Sequence, residues 1–226
     1  HGLDLGNTAV RPIVTGCSFV QNVGIAMANV RLESVPGFTN NSASHNGGDY
    51  IEVVNGGVST NTSLLAENCP NGVNGALVVR APIAVARGAT LRLGARVVVK
   101  MTSGHYVDVA GTLELLGAAA VPVVFTSFRD DSVAGDTNGD GPSTGSPSDW
   151  YGIRFNPTAT ACQASHAEVR YGGQGGFAGF VVLSAAVTLE ACTVRGCGVH
   201  GVDLGGSAAR PTVKGRLDVA AANAKT

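Results

Sequence analysis

With 226 residues, 44% of them hydrophobic, the chain is too apolar to be intrinsically disordered. Charged residues make up 14% against a typical share of about 25%, and the formal net charge is −1. The only lysines are Lys100, Lys214 and Lys225, which excludes a nucleic-acid binder of the ordinary basic kind, and no apolar run approaches the length of a membrane-spanning helix. Glycine, at 32 residues, is spread throughout, and apolar residues rarely recur at helical spacing. Strand signals are many and short. In chain order, β-rich runs bounded by Gly, Asn, Ser or Pro cover Tyr50–Val54, Ile83–Val85, Thr90–Leu93, Val97–Met101, Tyr106–Val109, Thr112–Leu115 and Val121–Phe125. Several alternate apolar with polar, so one face of each strand points inward.

These runs repeat. Ala89–Leu93 matches Gly111–Leu115 at a shift of 22 residues, and Ile83 and Val85 fall on Val107 and Val109 at 24. Val97–Ser103 matches Val121–Ser127, also at 24. A period in the low twenties with two or three short strands predicts an all-β parallel solenoid of roughly ten coils, each stacked at the ordinary interstrand spacing. An antiparallel sandwich also has many short strands, but it does not repeat in this register.

A longer repeat joins HGLDLGNTAVRPIV at residues 1–14 to HGVDLGGSAARPTV at 200–213, with nine of 14 positions identical at a shift of 199. The organisation expected is a single solenoid segment over 1–226. It would comprise a unit of about 199 residues (1–199) and the start of another (200–226), with a loop excursion over 128–150. A single strict coil template obeyed by both segments is the other explanation. Residues 1–14 begin within a coil, so a preceding repeat or another subunit is expected to stack there.

Residues 81–155 carry a signature that reads APIAVARGATLRLGARVVVKM, then GTLELLGAAAVPVVFTSFRDDSVAGDTNGDG, then DWYGI. It resembles the right-handed parallel β-helix repeats of large bacterial secreted and cell-surface proteins, within the wider pectin-lyase-like superfamily. The resemblance covers about a third of the chain closely and the rest loosely. It implies right-handed coils and an extracellular or cell-surface bacterial setting. It does not imply one activity, because the scaffold hosts lyases, hydrolases, adhesins and passive stalks.

The acidic excursion is the strongest local chemical signal. Asp130, Asp131, Asp136, Asp140 and Asp149 are half of the ten aspartates. Asp136-Thr137-Asn138-Gly139-Asp140-Gly141 matches D-x-N-x-D-G, which turns alternate oxygen ligands toward one point, and Gly141 permits the sharp bend. Hard oxygen ligands on a loop favour Ca²⁺. The twelfth position is Pro147, where an EF-hand has a bidentate Glu, so Asp149, Asp130 or Asp131 would have to close the coordination. The expected metal ligands are therefore Asp136, Asn138, Asp140, Asp130, Asp131 and Asp149. The alternative is a solvated turn held by Asx hydrogen bonds.

Catalytic signals are weaker. Pectin-degrading hydrolases of this fold use clustered aspartates, a Gly-His-Gly and an Arg-x-Lys. Here Asp130-Asp131 offers a carboxylate pair, but Gly198-Val199-His200-Gly201 is a different pattern and no Arg-x-Lys occurs. Asp4 and Asp203 fall on strands with no second carboxylate fixed beside them by sequence. His1 falls on the internal His200, which argues against an N-terminal copper site. Cys17, Cys69, Cys162, Cys192 and Cys197 contain no C-x-x-C. A Cys192–Cys197 disulfide is one arrangement they allow, and small buried hydrophobes are another. Trp150 is expected to anchor the excursion to the solenoid, with a sugar-stacking platform as the alternative role for Trp150 and Tyr151.

The function expected is a non-enzymatic, extracellular structural or adhesive repeat that stacks head to tail on itself as a stalk, fibre or surface layer. No nucleic-acid partner and no membrane insertion are expected. The competing expectation is a carbohydrate-binding module, or a Ca²⁺-dependent polysaccharide lyase or hydrolase, using the groove beside the acidic loop.

Overall fold

The structure of the chain, a computed structural model, describes residues 1–72, 75–184, 186–205, 210–216 and 218–221. Its strands are short, and all those that stack between windings run parallel. The first column contains Leu3–Asp4, Ile25–Arg31, Gly48–Val58, Leu77–Val79, Val98–Met101, Val123–Ser127, Ala167–Arg170, Thr193–Cys197 and Asp218–Ala221. A second column branches from the far half of Gly48–Val58. It continues through Ile83–Val85, Val107–Val109, Ile153–Phe155, Ala178–Val182 and His200–Asp203. The third holds Thr62–Leu64, Thr90–Gly94, Thr112–Leu116, Cys162–Ser165, Val187–Glu190 and Thr212–Lys214. The chain is a parallel β-solenoid.

Alternation dictates this arrangement. Leu91 and Leu93 face inward at 1% exposure, Arg92 faces out, and each stacks on its counterpart Leu113, Leu115 and Glu114 one winding on. Each such inward leucine contributes about 1.5–3 kcal/mol by leaving water. Like residues in successive windings then form one continuous core. At the corners of the first windings, asparagine side chains take over the backbone's work. Asn41 accepts from Cys17 N and donates to Val14 O, and Asn46 accepts from Asn22 N and donates to Phe19 O. Asn68 and Asn71 donate to Phe38 O and Ala43 O.

There are about eight turns, fewer than the ten expected from the sequence period. Windings run to 26 residues, as from Ile51 to Leu77, and the step from Phe125 to Val169 takes 44 because an excursion leaves the stack. The expected registers Ile83 on Val107 and Thr90 on Thr112 are present. Val97–Ser103 pairs differently from expectation: Val99 stacks on Phe125, a shift of 26 instead of 24. The extra two residues lie in the turn where Ala118 and Val121 bridge each other. A slip of two preserves the side-chain parity, so inward residues remain inward.

The first tier is joined to the following windings by side chains as well as backbone. His1 Nδ1 accepts from Ile25 N at 3.1 Å, and Asn29 Nδ2 donates to the Asp4 carboxylate at 2.9 and 3.0 Å. Arg11 donates to Glu33 at 2.8 Å and to Thr60 at 2.9 Å. Glu33 also accepts from the backbone and hydroxyls of Ser59 and Thr60. Burial alone would raise the Glu33 carboxyl, but these donors and Arg11 override it and hold the group at about 2. Its folded value lies below the ordinary 4.5, so its stabilisation is complete above about pH 4.5 and is lost as pH falls toward 2. Solvent near the site reduces the contribution to roughly 1–2 kcal/mol. Acid denaturation should therefore destabilise the parent chain more than E33Q between pH 5 and 2; identical acid profiles would contradict this assignment.

All five cysteines are free thiols. The Cys192–Cys197 bridge considered from sequence is absent. The intervening residues run as a strand, so the two α-carbons lie on the order of 16 Å apart, well beyond disulfide reach. Burial pushes Cys69 up to about 12 and raises Cys162, Cys192 and Cys197, whereas Cys17 is exposed. Alkylation of the folded chain should therefore modify Cys17 alone. Rapid modification of any other cysteine before unfolding would be inconsistent with this core.

Candidate functional site

The excursion begins where Val123–Ser127 ends and returns at Trp150. Its ends are tied together: Ser127 Oγ donates to Asp149 Oδ2 at 2.5 Å, and Ser146 N donates to the same oxygen at 2.9 Å. Trp150 is fully buried, stacks on Phe125 at 6.3 Å and donates its indole N–H to Arg170 O at 2.8 Å. It is the anchor expected from sequence. Tyr151 instead sits half-buried between Tyr106 and Phe177.

From this base the segment folds back over the outer face of the first column as an arm. Val133 and Ala134 pack on Ala76, Val98 and Val124. Asp130, fully buried, accepts from Thr126 Oγ1 at 2.6 Å and from Arg170 at 3.0 Å. Burial would raise the Asp130 carboxyl, but the Ser132 and Thr126 hydroxyls and Arg170 leave it lowered. Arg170 also pairs with Glu168, which in turn holds Arg195.

Lys100 occupies an outward position that the arm covers completely. Its Nζ donates to Gly135 O at 2.6 Å and to Thr137 Oγ1 at 3.0 Å. Desolvation lowers its ammonium to about 8 despite the nearby charges of Asp131, Asp130 and Asp136. Neither Lys100 nor Arg170 was singled out from sequence. The available signal was a lone lysine at an outward strand position in a chain with three lysines.

Beyond Lys100, the D-x-N-x-D-G motif turns on itself. Asp136 accepts from Gly139 N at 2.6 Å and Gly141 N at 3.0 Å, and Gly141 adopts φ +81°, which a side chain would resist. Asn138 Nδ2 donates to Asp140 Oδ2 at 2.7 Å, and Ser143 N donates to Asp131 Oδ2 at 2.7 Å. One carboxylate oxygen from each of Asp131, Asp136 and Asp140 lies within 4.8 Å of the others. Two enclosed acceptors in this segment, Asp131 Oδ1 and Asn138 Oδ1, have no hydrogen-bond donor. The fold thus brings together three of the six expected ligands and places Asn138 beside Asp140. Asp130 is committed to Arg170 and Asp149 to the base of the arm, outside that group. Three converging carboxylates and orphaned amide and carboxylate oxygens form a hard-oxygen donor set of the kind that suits Ca²⁺.

A cleft of about 540 Å³ opens beside the arm's base. Arg80, Thr102, His105, Phe128, Arg129 and Asp149 are among its walls. Arg80 pairs with Glu52 and lies 5.0 Å from the Phe128 ring centre. His105 Nδ1 shares a hydrogen bond with Thr102 Oγ1 at 2.9 Å.

Fold and site together define a parallel β-solenoid carrying one docked acidic arm. Compared with protein-family models, curated proteins and solved structures, the chain matches none.

Proposed function

We propose that this chain is a non-catalytic structural repeat of an extracellular bacterial β-helix protein, related to the pectin-lyase-like superfamily. Its windings would build a stalk, fibre or surface layer by head-to-tail stacking. The observation that carries this role is the recurrence of the first tier. Leu3–Asp4, Val14–Thr15 and Ser18–Val20 have counterparts at the same spacing in His200–Asp203, Thr212–Lys214 and Asp218–Ala221. The turns recur as well. Gly6 N donates to Asp4 Oδ1 at 2.9 Å and Gly205 N donates to Asp203 Oδ1 at 2.8 Å, while Gly16 and Gly215 adopt φ +63° and +66°. A tier repeated in local conformation is what a modular stack requires. In this role the acidic arm binds Ca²⁺ through Asp131, Asp136, Asp140 and Asn138, and the ion stiffens the excursion against the first column.

Carbohydrate binding is the second role, favoured by the cleft of about 540 Å³ in which Phe128 meets two arginines, a histidine and hydroxyls. Incubation with anionic and neutral polysaccharides, with and without chelator, separates the two. The structural role predicts unchanged polymer. Ca²⁺-dependent release of product would overturn it, and saturable binding without cleavage would favour the second role.

A further inference from the structure

We infer that the tier formed by residues 200–221 carries a docking code for the surface made by residues 23–60 of a second copy of the unit. This deepens, and rests on, the structural-repeat role by naming the surfaces that meet. In the first tier, the residues shared with 200–213 are those that reach forward to the next windings. His1 holds Ile25 N, Asp4 holds Asn29, and Arg11 holds Glu33 and Thr60. Gly2 lies so close to the next winding that a Cβ there would sit 2.8 Å from Ala26 O. Each of these is identical in the later segment: His200, Gly201, Asp203 and Arg210.

The exchanged positions tell the complementary story. Val10 and Ile13 are 54% and 86% exposed, and they correspond to Ala209 and Thr212. Identity is therefore concentrated on the forward contacts, and change falls where the side chain meets solvent.

The later tier also points the right way. His200–Asp203, Thr212–Lys214 and Asp218–Ala221 are all hydrogen-bonded on their rear edges, to Ala178–Val182, Val187–Glu190 and Thr193–Cys197. Leu3–Asp4 is bonded on its forward edge to Ile25–Arg31. Rear and forward edges of the same tier are thus both seen in use, one in each copy. Among the described residues, Asp203 meets only the Gly205 turn, and His200 and Arg210 lie exposed without an ion pair. The forward partners they match are Ile25, Asn29, Glu33 and Thr60 of another copy, with Arg210 complementing the Glu33 charge.

The test uses the full chain and sedimentation velocity over a concentration series. D4A/R11A weakens the first tier's own hold on Asn29 and Glu33 and leaves Asp203 and Arg210 intact. It is expected to form concentration-dependent head-to-tail oligomers beyond those of the parent chain, and adding D203A/R210A should abolish them. A D4A/R11A chain that distributes like the parent, or oligomers that survive D203A/R210A, overturns the proposal. A direct readout covers the case in which D4A/R11A unfolds. D203C/N29C, mixed as labelled and unlabelled chains and mildly oxidised, should give a disulfide between positions 203 and 29 of different chains, whereas D4C/N29C should close within one chain. Failure of the 203–29 link overturns the pairing. Polysaccharide turnover would instead overturn the structural role and leave the pairing standing.

Discussion

Replacing Trp150 with alanine should lower the unfolding free energy by about 3–5 kcal/mol, the largest loss expected from any single side chain here. Trp150 is fully buried, stacks on Phe125 and closes the arm by donating to Arg170 O. Its removal leaves a cavity between two windings and an unsatisfied carbonyl. The arm should become accessible to protease at temperatures where the windings remain folded, because its base is lost first. W150F separates the two effects. It keeps a ring in the core and forfeits the indole donor, for a loss of about 1 kcal/mol. Chemical denaturation of the three chains measures this directly. Equal midpoints for the parent chain and W150A would mean that Trp150 does not bridge arm and solenoid.

The second large effect concerns Ca²⁺. At free ion a hundred times its dissociation constant, binding to the folded chain alone adds about 2.7 kcal/mol. The converging oxygens of Asp131, Asp136 and Asp140 repel one another without a cation, and the orphaned Asp131 Oδ1 and Asn138 Oδ1 lack donors. A cation relieves both penalties at once. Thermal unfolding should shift upward in Ca²⁺ relative to chelator, and D136N/D140N should erase the shift. D149N should retain it, because Asp149 is committed to Ser127 and Ser146. Equal melting with ion and chelator would remove calcium from the account. A shift that survives D136N/D140N would place the ion elsewhere.

The fold was legible where alternation and period coincide. Thr90–Gly94 and Thr112–Leu116 alternate inward leucines with outward polar residues, so both their strand character and their register follow from the residues. Val98–Met101 reads as apolar almost throughout, because the arm covers its outer face, and alternation gave no register there. The two-residue slip onto Val123–Ser127 was set by a turn of small residues that carries no periodic signal. The first windings were harder still. Strands such as Ser18–Val20 and Ser42–Ser44 are only three residues long, and asparagine side chains complete the hydrogen bonding between their tiers.

The acidic site was partly legible for a related reason. The local motif places Asp136, Asn138 and Asp140 by spacing alone. Which further aspartate joins them depends on the arm's path over the first column. Lys100 and the Val133–Ala134 contact direct that path, so Asp131 joins the cluster while Asp130 turns to Arg170.

Everything above requires that windings continue in parallel register across the excursion. Asp108 and Arg154, 46 residues apart, are direct partners on adjacent strands, with Arg154 Nε 2.7 Å from Asp108 Oδ1. Adjacent parallel strands bring α-carbons within disulfide range. Mild oxidation of folded D108C/R154C should therefore close a disulfide between these positions within a single chain. Free thiols at both positions in the folded chain would contradict the stacked windings.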